Sequence, residues 1–372
     1  MFEPSPSVIR PIAERLDADD RYAGRGVTIA LLDSGFFAHP DLTTPRDRIV
    51  AYHDIFARRA SRRALRDVNT SAWHGMMTSV VAAGNGALSH GRFRGLAHEA
   101  DLVLVKVGSA ERIKHDDIRI GIEWVIEHRE RYGVRVLNIS CGGDYEESFL
   151  TDGVCRAADA ATRAGITVVA AVGNAGHEPR PKVLPPASAP SVLAVGGFDD
   201  GGEGSRAEGY HSSYGPTVDG LLKPELCAPA IWVAAPILPG TPTADQARIL
   251  ALLGATEDDS LHAVLRDHPG IDRELDAIAD RDPYLIRQLI ALKRRDQKVI
   301  SGHYKHVDGT SFAAPIVSSV VAQMLEANPR LSPQQIRSAL IRTASPLPGI
   351  GFNRQGWGVV KPRAAVEAAR SL

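Results

Sequence analysis

The chain has 372 residues, 44% hydrophobic and 23% charged, the composition of an ordinary globular protein long enough for a large core. A net charge of −1 leaves no electrostatic case for nucleic acid or an anionic membrane as partner. Three cysteines, Cys141, Cys155 and Cys227, are odd in number and unpatterned, so they read as reduced thiols of a cytoplasmic protein rather than as a disulfide framework.

No apolar run follows Met1, so no signal peptide is expected. Ser7 to Arg25 carries Ile9, Ile12, Ala13 and Leu16 at helical spacing, and residues 1–25 read as a short packing segment. Gly26 to Leu32 is an apolar, β-rich run, as in a strand buried on both faces, and it ends in Asp33-Ser34-Gly35. An acidic residue at the C-terminal end of such a strand sits where open α/β sheets bind ligands; a turn-forming aspartate is the alternative. His39-Pro40-Asp41-Leu42 follows. Arg58, Arg59, Arg62, Arg63 and Arg66 then gather on one predicted helical face, read as solvated, with an acidic substrate or partner as the alternative.

Trp73-His74-Gly75 opens a helix of small residues running through Ala83, in which His74 is either structural or functional. Leu102 to Val107 reads as a second strand and Ile113 to His128 as an amphipathic helix with Ile118, Ile122, Val125 and Ile126 inward. Val134 to Ser140 is a third strand, ending in Ser140-Cys141-Gly142-Gly143. Helix 153–165 leads to a fourth strand, Ile166 to Ala171, ending in Val172-Gly173-Asn174, and Val192 to Gly196 is a fifth. Strands alternating with helices predict a doubly wound, mainly parallel α/β sheet with helices on both faces. Three of its strand ends carry polar or glycine-rich turns, a coincidence that packing does not explain.

Between Leu226 and Ala244 the chain is uncharged, but Pro229, Pro236, Pro239 and Pro242 exclude a membrane helix. Residues 236–302 read as an inserted small helical subdomain. Thr243-Ala244-Asp245-Gln246 is its expected capping box, Gly254 its first stop, and Asp282-Pro283 the start of its last helix, with Lys293-Arg294-Arg295 near the end. The segments 26–235 and 303–372 would form the main domain around it.

Asp308-Gly309-Thr310-Ser311-Phe312-Ala313-Ala314-Pro315 then leads from a polar turn into a buried helix through Leu325, stopped by Asn328-Pro329. Ser311 lies in its first turn, where it is either an N-cap or a nucleophile favoured by the helix dipole. Ser332-Pro333-Gln334-Gln335 caps a further helix, and Gly356-Trp357-Gly358 precedes the last.

Together, Asp33-Ser34-Gly35, His74-Gly75, Gly173-Asn174 and Gly309-Thr310-Ser311-Phe312-Ala313-Ala314-Pro315 resemble, in order, the motifs of the subtilisin-like serine proteases, the subtilases. His39-Pro40-Asp41-Leu42, Ser140-Cys141-Gly142-Gly143, Ser212-Ser213-Tyr214-Gly215-Pro216 and Lys223-Pro224-Glu225-Leu226-Cys227-Ala228-Pro229 support the resemblance. It runs from about Gly26 to Ala369 and omits the insertion.

The resemblance implies a subtilisin-like three-layer fold and a serine endopeptidase. Ser311 would be the nucleophile, His74 the base, Asp33 its partner and Asn174 the oxyanion donor. Ser140, Cys141, Gly142 and Gly143, with Ala171, Val172 and Gly173, would flank an extended peptide or protein substrate. An apolar P1 residue is expected, with Cys141 a wall residue. The insertion would be a lid, a substrate selector or the dock for a protein partner.

No cofactor is required and no metal is expected. Some relatives bind calcium, but 84–94 lacks a carboxylate set, and Asp199-Asp200-Gly201-Gly202-Glu203 reads as a solvated turn rather than a calcium loop. The chain departs from the family at Met76-Met77, where threonine and a second histidine are usual, at Phe312 for methionine and at Ile316 for histidine. Many members carry an inhibitory prodomain, for which residues 1–25 are too few. That and the altered His74 turn motivate the alternative, a latent or pseudo-protease that binds peptides or partners without turnover. A nucleotide-binding protein is disfavoured, since no phosphate-loop motif is present.

Overall fold

The computed structural model describes residues 9–57, 61–200 and 207–372. Contacts divide the chain into two compact units, Met1–Val233 with Asp308–Leu372, and Ala234–Val307.

The first unit begins with α1 (Ile12–Arg15), β1 (Thr28–Asp33), α2 (Pro40–Thr43), β2 (Ile49–Asp54), α3 (Ala72–Ala83), β3 (Asp101–Lys106) and α4 (His115–Tyr132). It continues with β4 (Val134–Ile139), α5 (Gly153–Arg163), β5 (Thr167–Ala171), β6 (Leu193–Asp199), β7 (Glu208–Gly209) and β8 (Leu226–Pro229). The sheet order is β2-β3-β1-β4-β5-β6-β7, with β8 also on β6, and every pairing is parallel except β6 with β7. This is the doubly wound sheet expected. The strand order reverses about β1, which lies between β3 and β4, and in open α/β sheets ligands bind at the carboxyl ends beside such a reversal.

Strand side chains alternate between the sheet's two faces. Ala30 and Leu32 join Val103, Val105, Leu137 and Ile139 in a core with Ile118, Ile122 and Val125 of α4 and Val154, Ala158 and Ala161 of α5. Ile29, Leu31 and Asp33 take the opposite face, and Asp33 thereby turns towards α3.

The second unit is entered through β9 (Val233–Pro236) and contains α6 (Pro242–Ala255), α7 (Asp258–Asp267), α8 (Arg273–Ala277) and α9 (Pro283–Asp296), before β10 (Tyr304–Val307). Ile249, Leu250 and Leu253 of α6 pack with Leu261, Leu265, Leu275, Ile286 and Ile290 in a core of its own. β9 and β10 pair as a two-stranded ribbon, so the unit reaches beyond 236–302 at both ends.

The first unit resumes with α10 (Thr310–Ala327), α11 (Pro333–Thr343), α12 (Phe352–Gln355) and α13 (Pro362–Arg370). α10 packs on β4, β5, β6 and β8, and against α3 and α13. Glu326 in its last turn accepts from the Ala23, Gly24 and Arg25 N–H groups at 2.6, 2.7 and 3.0 Å, which anchors the segment entering β1.

Several local expectations change. The helix expected in 7–25 is a single turn at Ile12–Arg15, and Ser7 lies outside the described residues. The cap of α6 is Thr241, whose side chain accepts from Ala244 N–H, rather than Thr243: Pro242 fits the first helical position and fixes the start two residues earlier. Gly254 lies within α6 instead of stopping it. Arg62–Arg66 forms a short 3₁₀ turn, while Arg58 and Arg59 lie outside the described residues. Ser332 caps α11 as expected, and does so through a capping box with Gln335.

Candidate active site

β1 delivers Asp33 to its C-terminal end, 1% exposed. An ionised carboxylate there must be met by donors. Ser34 N–H supplies one at 2.7 Å to Oδ1, and the imidazole of His74 supplies another, its Nδ1 2.8 and 2.9 Å from the two oxygens. Thr78 Oγ1 lies 3.1 Å from Oδ2. The approach of α3 depends on Gly75: a Cβ there would stand 2.1 Å from Gly35 O and 2.9 Å from the Phe36 ring. Any side chain at that position pushes α3, and His74 with it, away from β1.

His74 is flanked by Trp73 edge-on at 5.2 Å and by Phe312 at 5.7 Å between ring centroids. Phe312, Met76, Met77 and Ile316, the positions that depart from the family pattern, are all buried packing residues. Burial disfavours the imidazolium, but the Asp33 charge and hydrogen bond outweigh it, so His74 titrates above its ordinary value. With Nδ1 committed to Asp33, the neutral ring carries its proton there and leaves Nε2 as the basic atom.

Ser311 reaches the same region from α10. The capping alternative fails: Gly309 occupies the N-cap position, and Ser311 is the second residue of the helix. Gly309 has φ 137°, a conformation costly to any residue with a Cβ. Its N–H donates to Ala230 O at 2.8 Å, while Asp308 Oδ1 accepts from Trp232 N–H at 3.0 Å, which together fix the turn.

Ser311 Oγ donates to Ser140 O at 3.2 Å rather than to His74. Such hydrogen bonds are commonly loose or differently directed in uncomplexed enzymes, because a hydroxyl rotates to the nearest acceptor. The backbone of Ser311 is tied to the same residue. Pro315 lacks the N–H that would close the helical bond to Ser311 O, and Ser140 Oγ takes its place at 2.8 Å. Ser140 Oγ in turn accepts from Asn138 Nδ2 at 3.0 Å, and Asn138 Oδ1 accepts from Ser318 Oγ at 2.9 Å. This chain of fully or nearly buried polar groups links β4 to α10.

Asn174 follows β5. Its Oδ1 accepts from Thr310 N–H at 2.9 Å and Thr310 Oγ1 at 3.0 Å. Only the oxygen can meet a backbone N–H, so the amide orientation is fixed and Nδ2 is left without a hydrogen-bond partner among the described residues. A side-chain N–H held in this way beside the start of α10 is a ready donor to a developing oxyanion.

A cleft of about 290 Å³ is lined by Asp33, Ser34, Trp73 and His74, by residues 109–113 after β3, and by Ser140, Cys141 and Gly142 after β4. Of the expected groove residues, these last three therefore meet Asp33 and His74. Gly143 is buried, its N–H donating to Pro185 O at 2.7 Å, and Ala171, Val172 and Gly173 are not in this cleft. Val172 is a core residue, and its N–H is bonded to Val195 O. Burial first, and then the Asp33 charge, push the Cys141 thiol well up, which fits an inert wall residue.

Sequence reasoning missed the wall at 109–113, Asn138 and Thr78, because no motif marks them. Glu111 and Arg112 are signalled only by following a strand end. Of the segment 199–203, expected as a solvated turn, Asp200 is engaged by Arg10 and Arg15 at 3.1 and 2.8 Å, and Gly201, Gly202 and Glu203 lie outside the described residues.

A family model described as the subtilase family matches residues 24–358. Serine protease AprX of Bacillus subtilis is 28% identical over 330 residues, covering 85% of this chain and 61% of its own length. Subtilisin BL of Lederbergia lenta is 26% identical, covering 92% of this chain and 91% of its own. The crystal structure of fervidolysin from Fervidobacterium pennivorans, described as a keratinolytic enzyme related to subtilisin, superposes with a TM-score of 0.64 at 23% identity. That match covers 94% of this chain and 43% of fervidolysin, and it carries the fold. The chain thus spans less than two thirds of AprX, the first of these relatives.

The Ser140–Ser311 link makes a stability prediction. Ser140→Ala removes the hydrogen bond to the partly buried Ser311 carbonyl and should cost about 1 kcal/mol. Adding Pro315→Ala, which restores a helical N–H to that carbonyl, should recover part of the loss. Urea unfolding of the single and double variants measures both; a neutral Ser140→Ala contradicts the assignment.

Proposed function

The chain belongs to the subtilase family, and on that premise we propose that it is a serine endopeptidase acting through Asp33, His74, Ser311 and Asn174. The observation that carries the reading is the His74 imidazole, tied through Nδ1 to both oxygens of buried Asp33, with Nε2 left as the base. In this reading Ser311 Oγ attacks the scissile carbonyl while His74 Nε2 takes its proton. The proton then passes to the leaving amine, and a water repeats the sequence on the acyl-enzyme. Asp33 holds the tautomer and stabilises the imidazolium. Asn174 Nδ2 donates to the tetrahedral oxyanion, and so does the Ser311 N–H, which as the second of the helix has no intrahelical acceptor.

The substrate is a peptide or protein whose backbone extends along Ser140, Cys141 and Gly142 on one side and Ala171, Val172 and Gly173 on the other. The small residues of these segments suit an apolar P1 side chain. A reducing, cytoplasmic setting belongs to the same reading, supported by Cys141, Cys155 and Cys227 being unbridged. A second reading, a latent form that binds without turnover, draws on one observation: the Ser311 hydroxyl is directed to Ser140 O.

Labelling with a fluorophosphonate probe separates the two. Active enzyme labels, and the label disappears in Ser311→Ala; a folded wild type that does not label supports the latent form. Asn174→Ala should lower kcat on peptides by about 10²–10³-fold, a magnitude established on a subtilisin's own asparagine.

The unit Ala234–Val307 is the proposed substrate selector, lid or partner dock, because the chain leaves it only four residues before Ser311. Replacing Pro239–Lys298 by a short Gly/Ser link keeps the β9/β10 ribbon. It should change kcat/KM on folded proteins more than on short peptides. Equal kinetics on both substrate types would remove this role.

A further inference from the structure

Asp33 has a partner that the proposed mechanism does not use. Oδ1 is served by Ser34 N–H at 2.7 Å, with Ser34 Oγ at 3.3 Å and a share of the His74 Nδ1–H. Oδ2 has the other share of that imidazole proton and one further donor, Thr78 Oγ1 at 3.1 Å. Thr78 is fully buried and lies one helical turn beyond His74 on α3, so the two residues present their side chains to the same carboxylate.

Threonine hydroxyls within helices often bond back to a carbonyl of the preceding turn, and Gly75 O is 3.2 Å from Thr78 Oγ1. A hydroxyl has only one proton to give. Gly75 O already has its helical partner in Ser79 N–H, whereas Oδ2 is charged and is the stronger acceptor. The proton therefore goes to Asp33. A hydroxyl sealed from water also costs stability unless it is bonded, and an isosteric valine would avoid that cost.

We propose that Thr78 is a positioning residue for the His74 base: it fixes Oδ2 and withdraws charge from it, which limits how strongly Asp33 holds the imidazolium. The inference rests on the reading of Asp33, His74 and Ser311 as the catalytic set. Among the described residues, the titratable and charged groups facing His74 are few. β1 contributes Asp33, the segment after β4 contributes Cys141, and the loop after β3 contributes Glu111 and Arg112 to the shared cleft. α10 contributes the uncharged ring of Phe312. Asp33 is thus the dominant field at the ring, and a donor to Asp33 is the lever that tunes it.

The test compares Thr78→Val, which keeps the shape and loses the hydroxyl, with Thr78→Ser, which keeps the hydroxyl. Two readouts are taken on the full chain: the NMR titration of the His74 ring, and the acid limb of kcat/KM on a chromogenic peptide. Thr78→Val should raise the His74 midpoint by about half a pH unit or more and move the acid limb upward with it. Thr78→Ser should return both to the wild-type position. A valine variant that titrates like wild type overturns the proposal, and so does a serine variant displaced as far as valine, which would mark a packing role.

If Thr78→Val does not fold, Thr78→Ala is read by the same titration with the same criteria. The two readings fail separately. Wild type that hydrolyses nothing while its His74 midpoint still depends on the Thr78 hydroxyl sinks the endopeptidase and leaves the positioning role. Hydrolysis with an unmoved midpoint does the reverse.

Discussion

A carboxylate 1% exposed at the end of a central strand has to be met by donors, because an ion stranded in a dry interior costs several kcal/mol. That demand at Asp33 orders its neighbourhood. The chain turns immediately after β1 so that Ser34 N–H reaches back, and α3 comes in over Gly75 so that His74 and Thr78 reach the same group. One consequence is chemical. An imidazole tied through Nδ1 to a charge has a fixed tautomer and a raised proton affinity at its other nitrogen.

The second half of the site is assembled by backbone needs rather than by charge. Gly309 makes a turn that a side chain would strain, and α10 starts immediately after it. Pro315 removes one helical hydrogen bond near that start, and the freed Ser311 carbonyl is taken up by Ser140 from the end of β4. The chain through Asn138 and Ser318 continues the connection into the α10 packing face. The two halves meet because β1 and β4 are neighbours where the strand order reverses. A sheet rule thus becomes a site.

How much of this was legible in the sequence follows from burial. β1, β3, β4, β5 and β6 are buried on both faces and appear as continuous apolar runs, so both they and the polar turns ending them could be read. β2 could not: as an edge strand it exposes Val50 and carries the half-buried His53 and Asp54, which breaks the run. β8 is four residues within a proline-rich stretch, and the ribbon is similarly short. The residues of the family motifs were readable one by one, and Ser140 was read as groove wall only. Its bond to the Ser311 carbonyl depends on Pro315 standing four residues after Ser311, a spacing that means nothing until α10 lies against β4. Thr78 was invisible for a related reason. A threonine inside an apolar helix looks like filler until the carboxylate beneath it is seen.

The most direct test of the central claim is the crystal structure of the full chain after reaction with a fluorophosphonate. The account predicts phosphorus bonded to Ser311 Oγ, which then no longer donates to Ser140 O. The phosphonyl oxygen should lie within hydrogen-bond distance of Asn174 Nδ2, and His74 Nε2 should face Ser311 Oγ with Nδ1 still on Asp33. An unmodified Ser311, or a phosphonyl oxygen turned away from Asn174, would contradict the account.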